Sequence, residues 1–328
     1  MADKKREKEK SLENAGLAGA QAETVQRYGS AVEEHFVSYS GMDNESQTQL
    51  AKGLKQIAES KVDPNNPEIS IKQQAGFSAE VKTQARESAE KIIAGEKKRI
   101  TRTDDMTKQS DGRGHTIGGK NEQLYDIAEV DVNGIYVEGT GRQLKFVGGN
   151  AKECCQKLLD KKYDKYRDAG VPIEIPSDFY DDVSADLSKR IDELNNQIQN
   201  AEAKGNLALA EKHKNRLRVL EDTKNNLRRG SLTNGEALEA RLHPKISVAK
   251  DIARISHRAG IEAAKTGAAI GSGVSMIRNS VAVIKGDKGV DEAVGEVIID
   301  TAKATGISYS TAYTGALVKG AMQNAPSS

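Results

Sequence analysis

Between Ser184 and Arg228 the apolar residues fall on a single stripe: Leu187, Ile191, Leu194, Ile198 and Ala201 step by four, three, four and three. That alternation holds side chains on one face of a helix and defines a heptad seam. Gly205-Asn206 interrupts it, and Leu217, Leu220 and Leu227 resume a seam beyond the break. The spacing predicts an antiparallel helical hairpin over 184–228, closing on itself, on a protein partner or on a second copy of the chain. Composition points the same way. With no Trp, four Phe and 4% aromatics, burial has to come from Leu, Ile, Val and Ala, which favours slender helical packing over a thick sandwich.

Upstream of the hairpin the periodicity changes. Residues 1–20 are charged and rich in Ala and Gly, a lead-in expected to lack order. Val25, Tyr28, Val32 and Phe36 then recur at helical steps over 21–39, and a second helix ending near Ser60 carries Leu50, Leu54 and Ile57. Asp63-Pro64-Asn65-Asn66-Pro67 breaks the pattern, and a third helix is expected from Gly76 to Ala94. The Gly-rich segment 101–123 reads as a long loop. Two short strands follow, 126–132 and 134–137, around Asn133-Gly134, a dipeptide suited to a tight hairpin turn. A strand at 143–147, a helix over 150–169 and a strand at 171–175 complete a compact mixed unit. The expectation is an α+β, mainly helical protein in four regions: helical 1–67, an α/β core 68–182, the hairpin 183–230, and an Ala/Gly-rich helical pair within 231–328.

Charge narrows the function classes. The formal net charge is +1 over 328 residues, so no global field draws the chain to DNA or anionic lipid, and any nucleic-acid binding has to come from a local patch. Cys154 and Cys155 are adjacent and stand alone, which suits neither a disulfide nor a zinc site and predicts buried or indifferent thiols in a reducing compartment. Met1–Lys10 is a Lys/Glu run without an apolar core, so a cytoplasmic protein without a secretory signal is expected.

One constellation can carry chemistry. Metal-assisted phosphodiester hydrolysis needs hard oxygen ligands converging on one point and a cation that orients water. In an extended strand, residues i and i+2 share a face. Gln143 and Lys145 of Arg142-Gln143-Leu144-Lys145-Phe146 meet that condition, with Leu144 and Phe146 turned toward the core. Asp126 opens the preceding hairpin, seventeen positions before Gln143, and Glu80 of Gly76-Phe77-Ser78-Ala79-Glu80 supplies a further acid from the helix ahead of it.

This order of elements resembles the PD-(D/E)xK restriction-endonuclease-like family, including its Holliday-junction-resolvase branch, over residues 76–176. The resemblance implies magnesium (or manganese) and cleavage of DNA. Asp126 and Gln143 would then be metal ligands, Lys145 would position the attacking water, and Glu80 would complete the catalytic set. Tyr125 stands where the family usually has Pro, and Gln143 where it has a second acid, which removes one negative charge from the metal site. A toxin or genome-defence effector would be built this way. The competing expectation is a non-enzymatic helical interaction or membrane-perturbing protein, with the α/β unit as scaffold.

Other residues carry weaker signals. His115 lies in the Gly-rich loop, Asp104 and Asp105 offer an alternative to Asp126, and His213, His243 and His257 lack zinc-like spacing. Asp178, Asp181 and Asp182 suit the start of a helix, and Gly148-Gly149-Asn150 could either cradle a phosphate or form a bare turn. In the C-terminal region, Gly267, Gly271 and Ser275 form a small-residue face. The uncharged run spans only 266–277, and Arg278 within a longer span would cost about 2.5–3.5 kcal/mol. Close-packed helices are therefore favoured over membrane contact through 259–322.

Overall fold

The computed structural model describes residues 27–43, 48–120 and 122–265. They form an α+β, mainly helical protein. Helix α1 (27–40) leads into the short antiparallel pair β1 (Met42–Asp43) and β2 (Thr48–Gln49). Then come α2 (Leu54–Ala58), α3 (Pro67–Ile93), β3 (Arg99–Arg102), β4 (Gln109–Ser110), β5 (Thr116–Ile117), β6 (Ile127–Val130) and β7 (Gln143–Leu144). Helices α4 (Ala151–Leu158) and α5 (Asp164–Asp168) precede β8 (Ile173–Ile175). The long helices α6 (Ser177–Ala203) and α7 (Leu207–Asn226), strand β9 (Leu227–Arg229), α8 (Asn234–Leu242) and α9 (Pro244–Lys265) follow.

These elements divide into two compact units. One draws its described residues from 1–49, 85–97 and 244–328, the other from 50–84 and 98–243. The first packs Tyr28, Ala31, Ala89, Ile92, Ile93 and Ile255 into a small core. Beside that core, Arg86 and Asp251 form a buried ion pair at 2.8 Å.

The second unit is built on strands. β3 and β6 pair antiparallel, with Arg102 opposite Ile127, and a single antiparallel bridge from Ile127 to Arg142 carries the pairing toward β7. β7 pairs parallel with β8, and β8 parallel with β9. The parallel steps are made through helices, α4 and α5 between β7 and β8, and the α6–α7 hairpin between β8 and β9. Every residue of β8 is buried, as expected of a strand covered on both faces. The main core gathers Cys154, Cys155, Leu158, Val171, Ile173, Ile175, Val183, Leu187 and Leu220 under it.

Local chemistry explains several boundaries. Pro67, expected only as part of a breaker, instead opens α3, because its fixed φ and missing N–H suit the first helical turn. The helix therefore starts nine residues before Gly76, at Pro67. The 101–123 loop is a correction: it contains the end of β3, a 3₁₀ turn at Thr103–Asp105, and the β4–β5 hairpin. The helix expected over 150–169 breaks after Leu158. The buried guanidinium of Arg167 folds back to donate to the carbonyls of Leu158 (2.6 Å) and Asp160 (3.1 Å), satisfying the end of α4. The start of α4 is capped reciprocally: the Asn150 side chain accepts from the Glu153 amide, and Glu153 accepts from the Gly149 amide. At the α6–α7 turn, Gly205 adopts φ +69° and Asn206 caps α7. The seam residues Leu187, Ile198, Ala201 and Leu220 are buried there.

Among the described residues, no helix is long and apolar enough to cross a membrane. The small-residue face from Gly267 to Ser275, the whole of 290–322 and the rest of 266–284 lie outside the described residues.

Candidate active site

The residues expected to act together do meet. Asp126 sits one position before β6, its amide donating to the Arg142 carbonyl (2.9 Å) and its carbonyl accepting from the Thr103 amide (2.9 Å). Those two bonds fix its backbone between two neighbouring strands. Its carboxylate oxygen Oδ2 then accepts from the Gln143 amide group and from the Leu144 backbone N–H at 2.8 Å. Lys145 Nζ stands 4.0 Å from the same oxygen. Gln143 and Lys145 thus share a face as the period of two requires, while Leu144 packs with Ile100 and Ile127, and Phe146 lies against that cluster. The Lys145 amide donates to the Glu174 carbonyl at 2.8 Å, which anchors the lysine backbone on β8.

Glu80 approaches from α3. Its half-buried carboxyl makes no hydrogen bond or ion pair among the described residues, yet it senses the charges of Asp126, Arg102, Lys145 and Asp104. Burial pushes it well above the ordinary carboxylate range, the Asp126 charge adds to that, and Arg102 and Lys145 oppose it. Burial also raises Asp126, against the pull of Lys145 and of the Leu144 N–H. Lys145 is displaced the other way: burial lowers it, and the charges of Asp126 and Glu80 restore only part. Two carboxyls held high and an ammonium held low, all in one place, describe a cluster whose charges are costly to keep dry.

Asp126, the Gln143 amide oxygen and Glu80 are the oxygen atoms that could serve as donors here, all hard, and such a set would suit magnesium or manganese rather than zinc or copper. Because Gln143 donates its NH₂ to Asp126, its carbonyl oxygen faces away from that carboxylate and remains an acceptor. Among the described residues, no three His, Cys, Asp or Glu side chains form a group able to hold a metal. An ion here would need the amide and water to complete its shell.

Several residues around the site were not legible beforehand. Arg102 is buried and donates twice to Asp105, at 2.9 and 2.6 Å. Asp105 also accepts from the Ala51 amide, so it is held structurally, whereas Asp104 is exposed and reaches the cluster only through its charge. Tyr166 is buried, with its ring 5.1 Å from Lys145 Nζ. The alternation of Arg99-Ile100-Thr101-Arg102 was the available signal for β3 and Arg102, but it is only four residues long. For Tyr166 there was none.

The remaining candidates lie elsewhere. His115 is exposed beside the β4–β5 turn, where its amide and that of Arg113 donate to Asp111. Tyr125 OH donates to the other oxygen of Asp111 at 2.9 Å, which braces the turn against the core. His213 lies in α7, His243 follows the last residue of α8, and His257 lies in α9. Asp178 accepts from the Asn234 amide, and Asp181 pairs with Arg229. The Gly148–Asn150 turn has its Gly149 amide taken by Glu153, so it is a capped turn. Both cysteines are free thiols and buried, pushed up to about 12 by that burial. No protein family, curated protein or solved structure matches the chain.

Proposed function

We propose that this protein is a metal-dependent nuclease that hydrolyses phosphodiester bonds in DNA. The observation that carries the reading is the meeting of Gln143, Lys145 and Asp126 just before β6 and along and just beyond β7, with the amide and the ammonium both close to one carboxylate oxygen. Asp126, Gln143 and Glu80 would hold a divalent magnesium or manganese ion, whose charge would neutralise the scissile phosphate. Lys145 directly follows β7, its amide bonded to the Glu174 carbonyl of β8, and burial lowers its ammonium. It can orient a water at the phosphorus and give up a proton more readily than an exposed lysine. Tyr166 and the β8 backbone fix the direction of that ammonium. A toxin or defence role is the biological setting this chemistry would suit.

The test is plasmid nicking with magnesium or manganese. Wild-type protein is expected to cut, and Asp126→Asn and Lys145→Ala to abolish cutting while leaving the far-ultraviolet circular dichroism unchanged. Wild-type protein that never nicks DNA with either metal would sink the reading.

A second reading rests on a different observation. The α6–α7 hairpin carries a groove of about 940 Å³ lined by Leu194, Val219 and Leu220 among Arg190, Glu193 and Lys212. In that reading the bonds of Asp126 only clamp β6 to β7, and the hairpin binds a protein partner or a second copy. Saturating partner binding that survives Asp126→Asn, together with an absence of nicking, would favour it.

A further inference from the structure

The ring of Tyr166 carries two ammonium groups: Lys145 Nζ at 5.1 Å from its centroid and Lys165 Nζ at 4.9 Å. Two like charges on one ring repel each other, and the face of an aromatic ring offsets part of that repulsion by attracting both. Lys145 has a further partner in Asp126. Lys165 makes no ion pair among the described residues; its ammonium has only the ring and the Gln123 side-chain oxygen at 3.3 Å. It is exposed, yet its charge is felt at both Asp126 and Lys145. The arrangement is an exposed cation without an ion pair, set beside a partly buried carboxylate cluster and in contact with a buried ring.

Resting on the nuclease reading of the cluster, we infer that Lys165 binds a backbone phosphate of the nucleic-acid strand beside the scissile bond. Tyr166 is the positioning residue that sets Lys165 and Lys145 at a fixed separation. The argument is one of charge and placement. A strand entering a site lined by Glu80, Asp104 and Asp126 meets net repulsion unless a cation outside the metal shell receives its phosphates. Lys145 is engaged by Asp126, and Arg102 by Asp105. Lys165 can take a phosphate oxygen while keeping its ring contact, and its hydrogen-bond acceptor Gln123 is uncharged, so releasing it leaves no buried charge behind. The overall charge of +1 leaves this contact local, so its loss is felt in full.

The experiment separates binding from cutting. Full-length Asp126→Asn protein, with and without Lys165→Ala or Lys165→Arg, is titrated into a short fluorescein-labelled DNA duplex in EDTA, and anisotropy is read over a range of salt. Non-specific affinity built from roughly six to ten phosphate contacts assigns each a share of about fivefold. Lys165→Ala is expected to weaken binding by about that factor and to lower the salt slope by about one. Lys165→Arg retains affinity, and the exposed position leaves the melting temperature of both variants unchanged. In the cutting-competent background, Lys165→Ala raises KM and leaves kcat within about twofold, the pattern of lost uniform binding. Tyr166→Leu raises KM and also lowers kcat, because it releases Lys145 too. An unchanged affinity and salt slope in Lys165→Ala, or no binding to DNA at all, overturns the assignment. A protein that binds through Lys165 but never cuts refutes the nuclease reading and leaves this one standing.

Discussion

Exchanging Gln143 for Glu restores the second acid that the resemblance leads one to expect, and the structure sets what that costs. Gln143 is 4% exposed, and its amide donates to Asp126 Oδ2. Glutamate has the same length, so its oxygen would face that carboxylate where the NH₂ now does. Two unit charges about 4 Å apart at an effective dielectric near 20 repel by about 4 kcal/mol. Lys145, 4.0 Å from Asp126, returns part of this, and uptake of one proton caps the rest. A net loss of about 3 kcal/mol is expected without metal. At about 2–4 °C per kcal/mol for a unit of this size, the melting temperature should fall by roughly 6–12 °C. The sign with pH follows. A carboxyl whose folded pKa is raised is unpenalised below its unfolded value and loses stability as pH climbs through the raised one. The deficit of Gln143→Glu should therefore shrink toward pH 5 and be full at pH 8. Saturating magnesium or manganese should recover most of it, since a divalent ion turns the facing carboxylates into ligands. The assay is differential scanning fluorimetry in EDTA and in each metal, with Gln143→Met as the control that removes the hydrogen bond without adding charge. Equal melting of Gln143→Glu and Gln143→Met in EDTA would show that the two side chains do not face each other. A deficit untouched by metal would show that no ion binds there.

Glu80→Gln should stabilise the metal-free protein at neutral pH. Burial and the Asp126 charge hold the Glu80 carboxyl high, so its ionised form is a burden that grows as pH rises above its unfolded value. The gain, read by thermal unfolding in EDTA, should vanish near pH 4 and be accompanied by lost nicking; destabilisation at pH 7 would contradict the placement of Glu80. In the other unit, Asp251→Ala should cost up to about 3–5 kcal/mol, because the buried Arg86 guanidinium loses its 2.8 Å ion pair and Arg254 loses the same carboxylate at 3.6 Å. The double replacement Arg86→Met with Asp251→Leu should recover part of that in the same melting assay, because it removes the Arg86 guanidinium together with its partner, while Arg254 still loses the carboxylate.

What could be read in advance follows from how far along the chain each feature reaches. The α6–α7 hairpin was legible because its seam repeats within single helices and Gly205-Asn206 marks the turn. The pairing of Gln143 with Lys145 was legible because strand alternation is a two-residue rule. Glu80 and Asp126 came from the resemblance and from element order. β3 was missed because its four residues abut a Gly-rich run and its partner, β6, lies twenty-five residues on. The break after α4 was missed because it depends on Arg167 reaching back to carbonyls that a helix pattern treats as satisfied. Tyr166 and Lys165 were invisible because they reach the site only after α4 and α5 carry the chain around to β8.

The cluster also argues against a purely structural role for itself. A strand clamp needs one acceptor, and Asp126 supplies it to Gln143 and to the Leu144 N–H. Glu80 adds nothing to that clamp: it makes no hydrogen bond among the described residues, and it is placed where burial and a neighbouring carboxylate both penalise its charge. Lys165 has no ion pair among the described residues, and its ammonium shares one ring with that of Lys145, so folding gains little from its charge. Carboxyls and an ammonium gathered and buried at a cost to stability are what a site for a cation and an anionic strand would require. If the cluster were scaffold alone, replacing Glu80 and Lys165 by neutral residues would leave every function intact.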